Sequence, residues 1–344
     1  MSIKAYLYGA FTPHFTNINT LFTMLHITPS LIGSARLQTK PSLYRFTPAL
    51  EGAVKVALTL GQPLLVTGEP GTGKTQLAYA LADILSQKVP NFWAKPIIFN
   101  TKTTSAASDL FYYYDALRHF RDANIRRADN TAALNIADYI ELRALGKAIA
   151  LTNASDNNAR LFVKDADLQK FMGGSVVLID EIDKAPRDFP NDILQEIENY
   201  RFSIKEVDNN LTLQRNVQHP IVVIMTSNSE KNLPEAFLRR CVFHHIEFPD
   251  ADMLLQIIKS HLPEGSPYTQ PQFIQHFEQL RGVVKKKKPA TAELIAWLKL
   301  LEAEQFLQSN TVNFDNLTEA QKQILQMSYA VLVKNIDDKM LLNS

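Results

Sequence analysis

The residues with the plainest chemical potential are Gly68-Glu69-Pro70-Gly71-Thr72-Gly73-Lys74-Thr75, which fit the spacing G-x-x-x-x-G-K-[ST]. Glycines at these positions let backbone N–H groups turn inward around phosphate oxygens. A helix opening at Lys74 would add the positive end of its dipole. Lys74 is then expected to neutralise β- and γ-phosphates, and the Thr75 hydroxyl to ligate Mg²⁺. A second constellation, Val176-Val177-Leu178-Ile179-Asp180-Glu181, is an apolar run ending in two carboxylates. Side chains of consecutive strand residues point to opposite faces, so two adjacent acids can do two jobs. Asp180 is expected in the Mg²⁺ shell and Glu181 beside the attacking water, which it would polarise. A third apolar run, Ile221 to Met225, ends in Thr226-Ser227-Asn228. Asn228 there either orients the water or simply terminates the strand in a turn.

These residues need elements that hold them. Leu64-Leu65-Val66 reads as a short buried strand, preceded by a helix from Ala49 to Leu60 and followed by one from Lys74 to Ser86. Pro96 to Phe99, Val176 to Ile179, Ile221 to Met225 and Val242 to Phe248 read as further strands, apolar enough for a parallel sheet buried on both faces. Phe202-Ser203-Ile204 and Leu211-Thr212-Leu213, separated by Asp208-Asn209-Asn210, predict a β-hairpin. Residues 108–150 read as helical, with Leu110, Tyr113, Leu117 and Phe120 along one stripe, and 191–200 as another helix. After Pro249-Asp250 the strand signals end, and helical stripes follow at 251–262, 271–281, 291–307 and 318–334. The last opens on Thr318 and Gln321, spaced as a capping box. The architecture expected is α/β: a parallel sheet flanked by helices over 41–250, then a small all-helical domain over 251–344. Residues 1–40 form an extension whose role the sequence does not reveal.

Composition narrows the class. The chain has 344 residues, 46% apolar and 21% charged, with a formal net charge of +1. That is the balance of an ordinary globular chain and gives no electrostatic support to nucleic-acid binding. A lone cysteine, Cys241, excludes an intrachain disulfide. No apolar run reaches the length of a membrane span, and Met1 to Ala10 does not read as a signal peptide. A cytoplasmic setting is expected.

Together, GEPGTGKT at 68–75, VVLIDEIDKAP at 176–186 and TSNSEKNLPEAFLRRC at 226–241 resemble the Walker A, Walker B and sensor 1 regions of AAA+ ATPases. More narrowly they resemble the MoxR group, through Asp180-Glu181-Ile182, the segment NDILQEIENYRF at 191–202 and Leu233-Pro234-Glu235-Ala236. The similarity spans about residues 45 to 340. The resemblance implies a P-loop AAA+ fold with a helical lid, ATP and Mg²⁺ as cofactors, and ATP preferred over GTP. It implies a homo-oligomeric, hexameric ring with nucleotide between subunits, acting on a protein partner that carries a von Willebrand factor A domain. It places Asn228 at sensor 1, and Arg239 or Arg240 as an arginine finger. Arg240 aligns with the arginine of the usual leucine-aspartate-arginine triplet, and Arg239 replaces the aspartate. The group's lid arginine has no counterpart in Pro289-Ala290-Thr291-Ala292-Glu293, and Lys288 is the nearest cation. Two other function classes remain open beside a remodelling ATPase: a slow, ATP-gated assembly scaffold and a nucleic-acid-directed motor subunit.

Three further signals have bland readings. His244-His245 are adjacent and would face opposite sides of a strand, so a structural role is expected rather than a metal site. Lys285 to Lys288 read as a solvated loop. Phe111-Tyr112-Tyr113-Tyr114 could line a pore or pack in a core.

Overall fold

The structure, a computed structural model, describes residues 40–129, 134–153, 162–207, 211–229, 233–307 and 311–342. The extension 1–40 lies outside them except for Lys40, as does the turn Asp208-Asn209-Asn210. Among the described residues the strands are β1 (Leu64–Gly68), β2 (Ile97–Asn100), β3 (Tyr112–Tyr114), β4 (Ile140–Leu142), β5 (Ser175–Asp180), β6 (Arg201–Ile204), β7 (Leu211–Gln214), β8 (Ile221–Ser227) and β9 (Val242–Ile246). The helices before residue 250 are α1 (Pro48–Leu60), α2 (Lys74–Lys88), α3 (Ala116–Asp129), α4 (Ala144–Thr152), α5 (Ala166–Lys170), α6 (Phe189–Asn199) and α7 (Glu235–Leu238).

Five strands form one parallel sheet in the order β2-β5-β8-β1-β9. The sheet is covered on both faces, and the period of two shows which residue goes where. Leu64, Val66, Val176, Leu178 and Ile224 share a core with α1 and α2. Their neighbours Leu65, Val177, Ile179, Val223 and Met225 share the opposite core with α4 and α6. Such two-faced burial is why these strands read as unbroken apolar runs. At the N-terminus of α1 the Thr47 hydroxyl accepts from the Leu50 amide, satisfying a donor the helix itself cannot. The strand order sets the carboxyl ends of β5, β8 and β1 side by side, where ligands of open α/β sheets collect.

The helical reading of 108–150 holds only for α3 and α4. A 3-10 turn at Ala107–Leu110 leads into β3, which pairs antiparallel with β4, and α3 lies between them. Leu110 is fully buried, whereas Leu117 is 85% and Phe120 is 70% exposed, so the supposed apolar stripe never faces one core. Phe111 is buried against Phe202 of the β6–β7 hairpin, and Tyr113 projects outward with the Arg143 guanidinium over its ring. The hairpin itself forms as expected, with Phe202 opposite Leu213.

A third core lies in the C-terminal helical region, built on α8 (Ala251–His261), α9 (Pro271–Val283), α10 (Thr291–Ala303) and α11 (Glu319–Leu332), with α12 (Ile336–Leu342) following. Phe273, Phe277, Trp297 and Phe306 are its largest fully buried side chains, and the Trp297 indole donates to the Ser328 hydroxyl to join α10 to α11. The Thr318–Gln321 capping box is present at the start of α11.

Candidate functional site

The loop 69–73 connects β1 to α2 at the sheet's carboxyl edge. Its conformation needs glycine. A Cβ on Gly68, at φ 147°, would sit 2.5 Å from the Ile246 carbonyl oxygen, and one on Gly71, at φ 79°, would sit 2.7 Å from the Ala290 Cβ. No side chain fits either place, so the loop must present bare backbone to whatever it holds.

Lys74 opens α2 with its side chain folded back into that loop. Its ammonium donates to the carbonyls of Gly68 at 2.7 Å and Glu69 at 2.9 Å. Burial pushes its pKa below the ordinary lysine value, against the pull of Asp183, Asp180, Glu181 and Glu69. A buried cation held by two neutral carbonyls is a strong attractor for an anion, because a phosphate offers more than those dipoles do.

Thr75 and Asp180 meet across the site. The Thr75 hydroxyl donates to Asp180 Oδ1 at 3.1 Å and Oδ2 at 3.3 Å. Thr226, at the end of β8 and only 1% exposed, donates to Asp180 Oδ1 at 2.5 Å and accepts from the Glu181 amide at 2.9 Å. A carboxylate and a hydroxyl side by side at the mouth of a phosphate loop are hard oxygen donors, the type that suits Mg²⁺ sharing its shell with phosphate. Glu181 follows with φ 57°, a left-handed conformation that non-glycine residues seldom take outside constrained sites. Its carboxylate is ion-paired with Lys184. Hydrogen bonding to Glu181 raises the Lys184 pKa. Asn228 is exposed, lines the same cleft, and its amide donates to Asp183 Oδ1 at 3.3 Å.

A cleft of about 900 Å³ opens above these groups. Its floor is the loop, with Asp180, Glu181, Thr226 and Asn228. Its roof is one face of α8 (Met253, Ile257, His261) and the start of α10 (Thr291, Ala292, Ile295), with Tyr44, Arg45 and Thr47 at one side. The polar floor and partly apolar roof match a ligand with a charged tail and an apolar or aromatic head.

Not every expected residue reaches the cleft. Arg239 is ion-paired with Glu235 and Arg240 lies 3.8 Å from Glu198; both are exposed and neither lines the cleft of a single chain. Lys288 is exposed and does not line it either. The run 285–288 is instead organised by Asp338, which accepts from the amides of Lys285, Lys286 and Lys287. His245 is hydrogen-bonded with the Thr67 hydroxyl at 2.9 Å, and no group of three or more His, Cys, Asp or Glu among the described residues is arranged to hold a metal.

Sequence reasoning missed three participants: Thr226, Lys184 and Arg281. Thr226 had a signal, a polar residue closing an otherwise apolar strand. Arg281, on α9, had none. Its guanidinium donates to Glu69 Oε2 of the loop and to the Pro289 carbonyl, at 2.5 and 2.6 Å.

A family model described as "AAA domain (dynein-related subfamily)" matches residues 63–241, just over half of the chain. A search of curated protein sequences returned no match. Among solved structures, two single-site variants of Thermotoga maritima RuvB align at 17% identity and TM-score 0.42, covering 84% and 85% of this chain and 68% and 70% of theirs. The AAA domain of FIGL-1, in complex with ADP, aligns at 16% identity and TM-score 0.36, covering 86% of this chain and 85% of that one. No described helix is long and apolar enough to cross a membrane.

Proposed function

This chain belongs to the AAA family, in its dynein-related subfamily, and from that premise we propose that it hydrolyses Mg·ATP and uses the cycle to remodel a protein partner. The observation that carries the reading is the contact of Thr75 with Asp180, residues 105 positions apart, at the mouth of a glycine-lined phosphate loop. Gly68 to Thr75 cradle the phosphates, and Lys74 leaves its two carbonyls to neutralise them. Thr75 and Asp180 hold Mg²⁺. Bound there, the metal supplies charge neutralisation at the phosphates. Asp180 is oriented by two hydroxyls, those of Thr75 and Thr226. Glu181, once released by Lys184, polarises the attacking water, and Asn228 orients it.

The MoxR-like motifs support the finer parts of the proposal. In this reading the chain assembles as a hexameric ring in the cytoplasm, and its partner carries a von Willebrand factor A domain. Residues 41–250 are the α/β nucleotide domain and 251–344 the lid. The exposure of Arg239 and Arg240 supports their use in trans, because a finger buried in its own subunit could not reach a neighbour.

Steady-state phosphate release, measured alone, with DNA and with an unfolded protein, tests the proposal. Turnover that rises with the protein and not with DNA is the expected result. Stimulation by DNA alone would make the chain a nucleic-acid motor. Tight binding without turnover would make it a scaffold.

A further inference from the structure

Arg281 sits in the last turn of α9, in the helical region, yet its side chain is only 12% exposed. Arginine stems bury readily, but their guanidinium heads usually stay in water. Here the head is enclosed. One terminal nitrogen donates to the Pro289 carbonyl ahead of α10 and the other to Glu69 Oε2 of the phosphate loop, while the guanidinium carbon lies 3.6 Å from the centre of the Phe248 ring beyond β9. One cation thus ties together α9, the approach to α10, the exit of the sheet and the phosphate loop.

Its partner Glu69 is tied in a second way. The carbonyl of Glu69 accepts from the Lys74 ammonium at 2.9 Å and from the Thr72 hydroxyl at 2.8 Å. The same residue therefore carries the lysine anchor on its backbone and the arginine on its side chain. When an anion draws Lys74 off that carbonyl, the peptide holding the arginine's partner loses one of its two side-chain anchors.

We infer that Arg281 is a positioning residue that latches the helical region onto the phosphate loop through Glu69, so that this ion pair gates nucleotide uptake and release. The inference rests on the reading of residues 68–75 as the nucleotide loop. A nucleotide in the cleft lies between that loop and the roof on α8 and α10. It leaves only when roof and loop part, which requires the ion pair to break. Glu69 is half exposed, so the pair is weaker than a buried one; Arg281 is enclosed and stacked, so it is stronger than a surface one.

The test is stopped-flow displacement of a fluorescent ATP analogue from the full chain, comparing wild type, Arg281→Gln, Glu69→Gln and the double substitution. Each single change is expected to speed release by about 5- to 20-fold, the range between a screened and an enclosed charge-assisted hydrogen bond. The double is expected to match the singles rather than multiply them, because both remove one interaction. Exchanging the charges, Glu69→Arg with Arg281→Glu, is expected to slow release again, which a merely structural loss would not allow. Unchanged release in the singles, or a double equal to their product, overturns the latch. If Arg281→Gln fails to fold, Glu69→Gln, at an exposed carboxylate, decides alone. Absence of binding by the wild type overturns the nucleotide reading and the latch with it, whereas binding with unchanged release overturns the latch only.

Discussion

Arg240→Ala protein is expected to bind ATP as the wild type does and to hydrolyse it about 10³- to 10⁵-fold more slowly, the range that arginine fingers supply in phosphoryl transfer. The reason lies in where the arginine stands. Lys74 is the cation in contact with the loop's own carbonyls, and Arg281 is already engaged with Glu69 and Pro289. Lys40 and Arg45 also line the cleft, on the segment that precedes α1, so the expectation for Arg240 rests on the motif resemblance and on its exposure. Arg240 stands outside the cleft, exposed and held only loosely by Glu198 at 3.8 Å, which suits a group that reaches another subunit. Arg239, closed onto Glu235 within its own short helix, is the weaker choice. Two measurements check this. Specific activity is expected to rise with protein concentration as subunits assemble, and mixing Arg240→Ala with Glu181→Gln protein is expected to restore part of the activity. A chain fully active at the lowest dilution would contradict assembly, and absence of rescue would contradict a finger acting in trans.

Glu181→Gln separates binding from chemistry. The amide is close in shape to the carboxylate but cannot accept a proton from water, so turnover is expected to fall by about 10² to 10⁴. Binding of ATP and Mg²⁺ is expected to persist, because Asp180 and Thr75, not Glu181, form the oxygen cluster beside the loop. The substitution also removes the ion pair with Lys184, an exposed contact of small energetic value. Parallel calorimetry and phosphate-release assays read the two effects. If affinity and rate fell together, Glu181 would be a ligand or a structural residue instead.

Much of this arrangement is legible before any coordinates, and the reason is local. The loop 68–75, its flanking strand and helix, and the acids at 180 and 181 are contiguous patterns whose chemistry depends on spacing along the chain. The central strands are legible because burial on both faces leaves continuous apolar runs. The segment 108–150 misleads because Leu110, Tyr113, Leu117 and Phe120 mimic a helical stripe while serving different surroundings. What decides its structure is the pairing of Tyr112–Tyr114 with Ile140–Leu142, a partner that spacing does not announce. The same holds for the site's supporting contacts. Thr226 reaches Asp180 across 46 positions and Arg281 reaches Glu69 across 212, so both appear only once the chain has folded.

The central claim is that the loop 68–75 holds the phosphates of ATP through Lys74, and titration calorimetry of Mg·ATP into wild-type and Lys74→Ala protein tests it most directly. Removing one partner of a desolvated charge pair costs about 2–5 kcal/mol in comparable interfaces, so affinity is expected to fall by about 30-fold to about 4,000-fold. Equal heats and equal affinity in the two proteins would contradict the assignment of this loop.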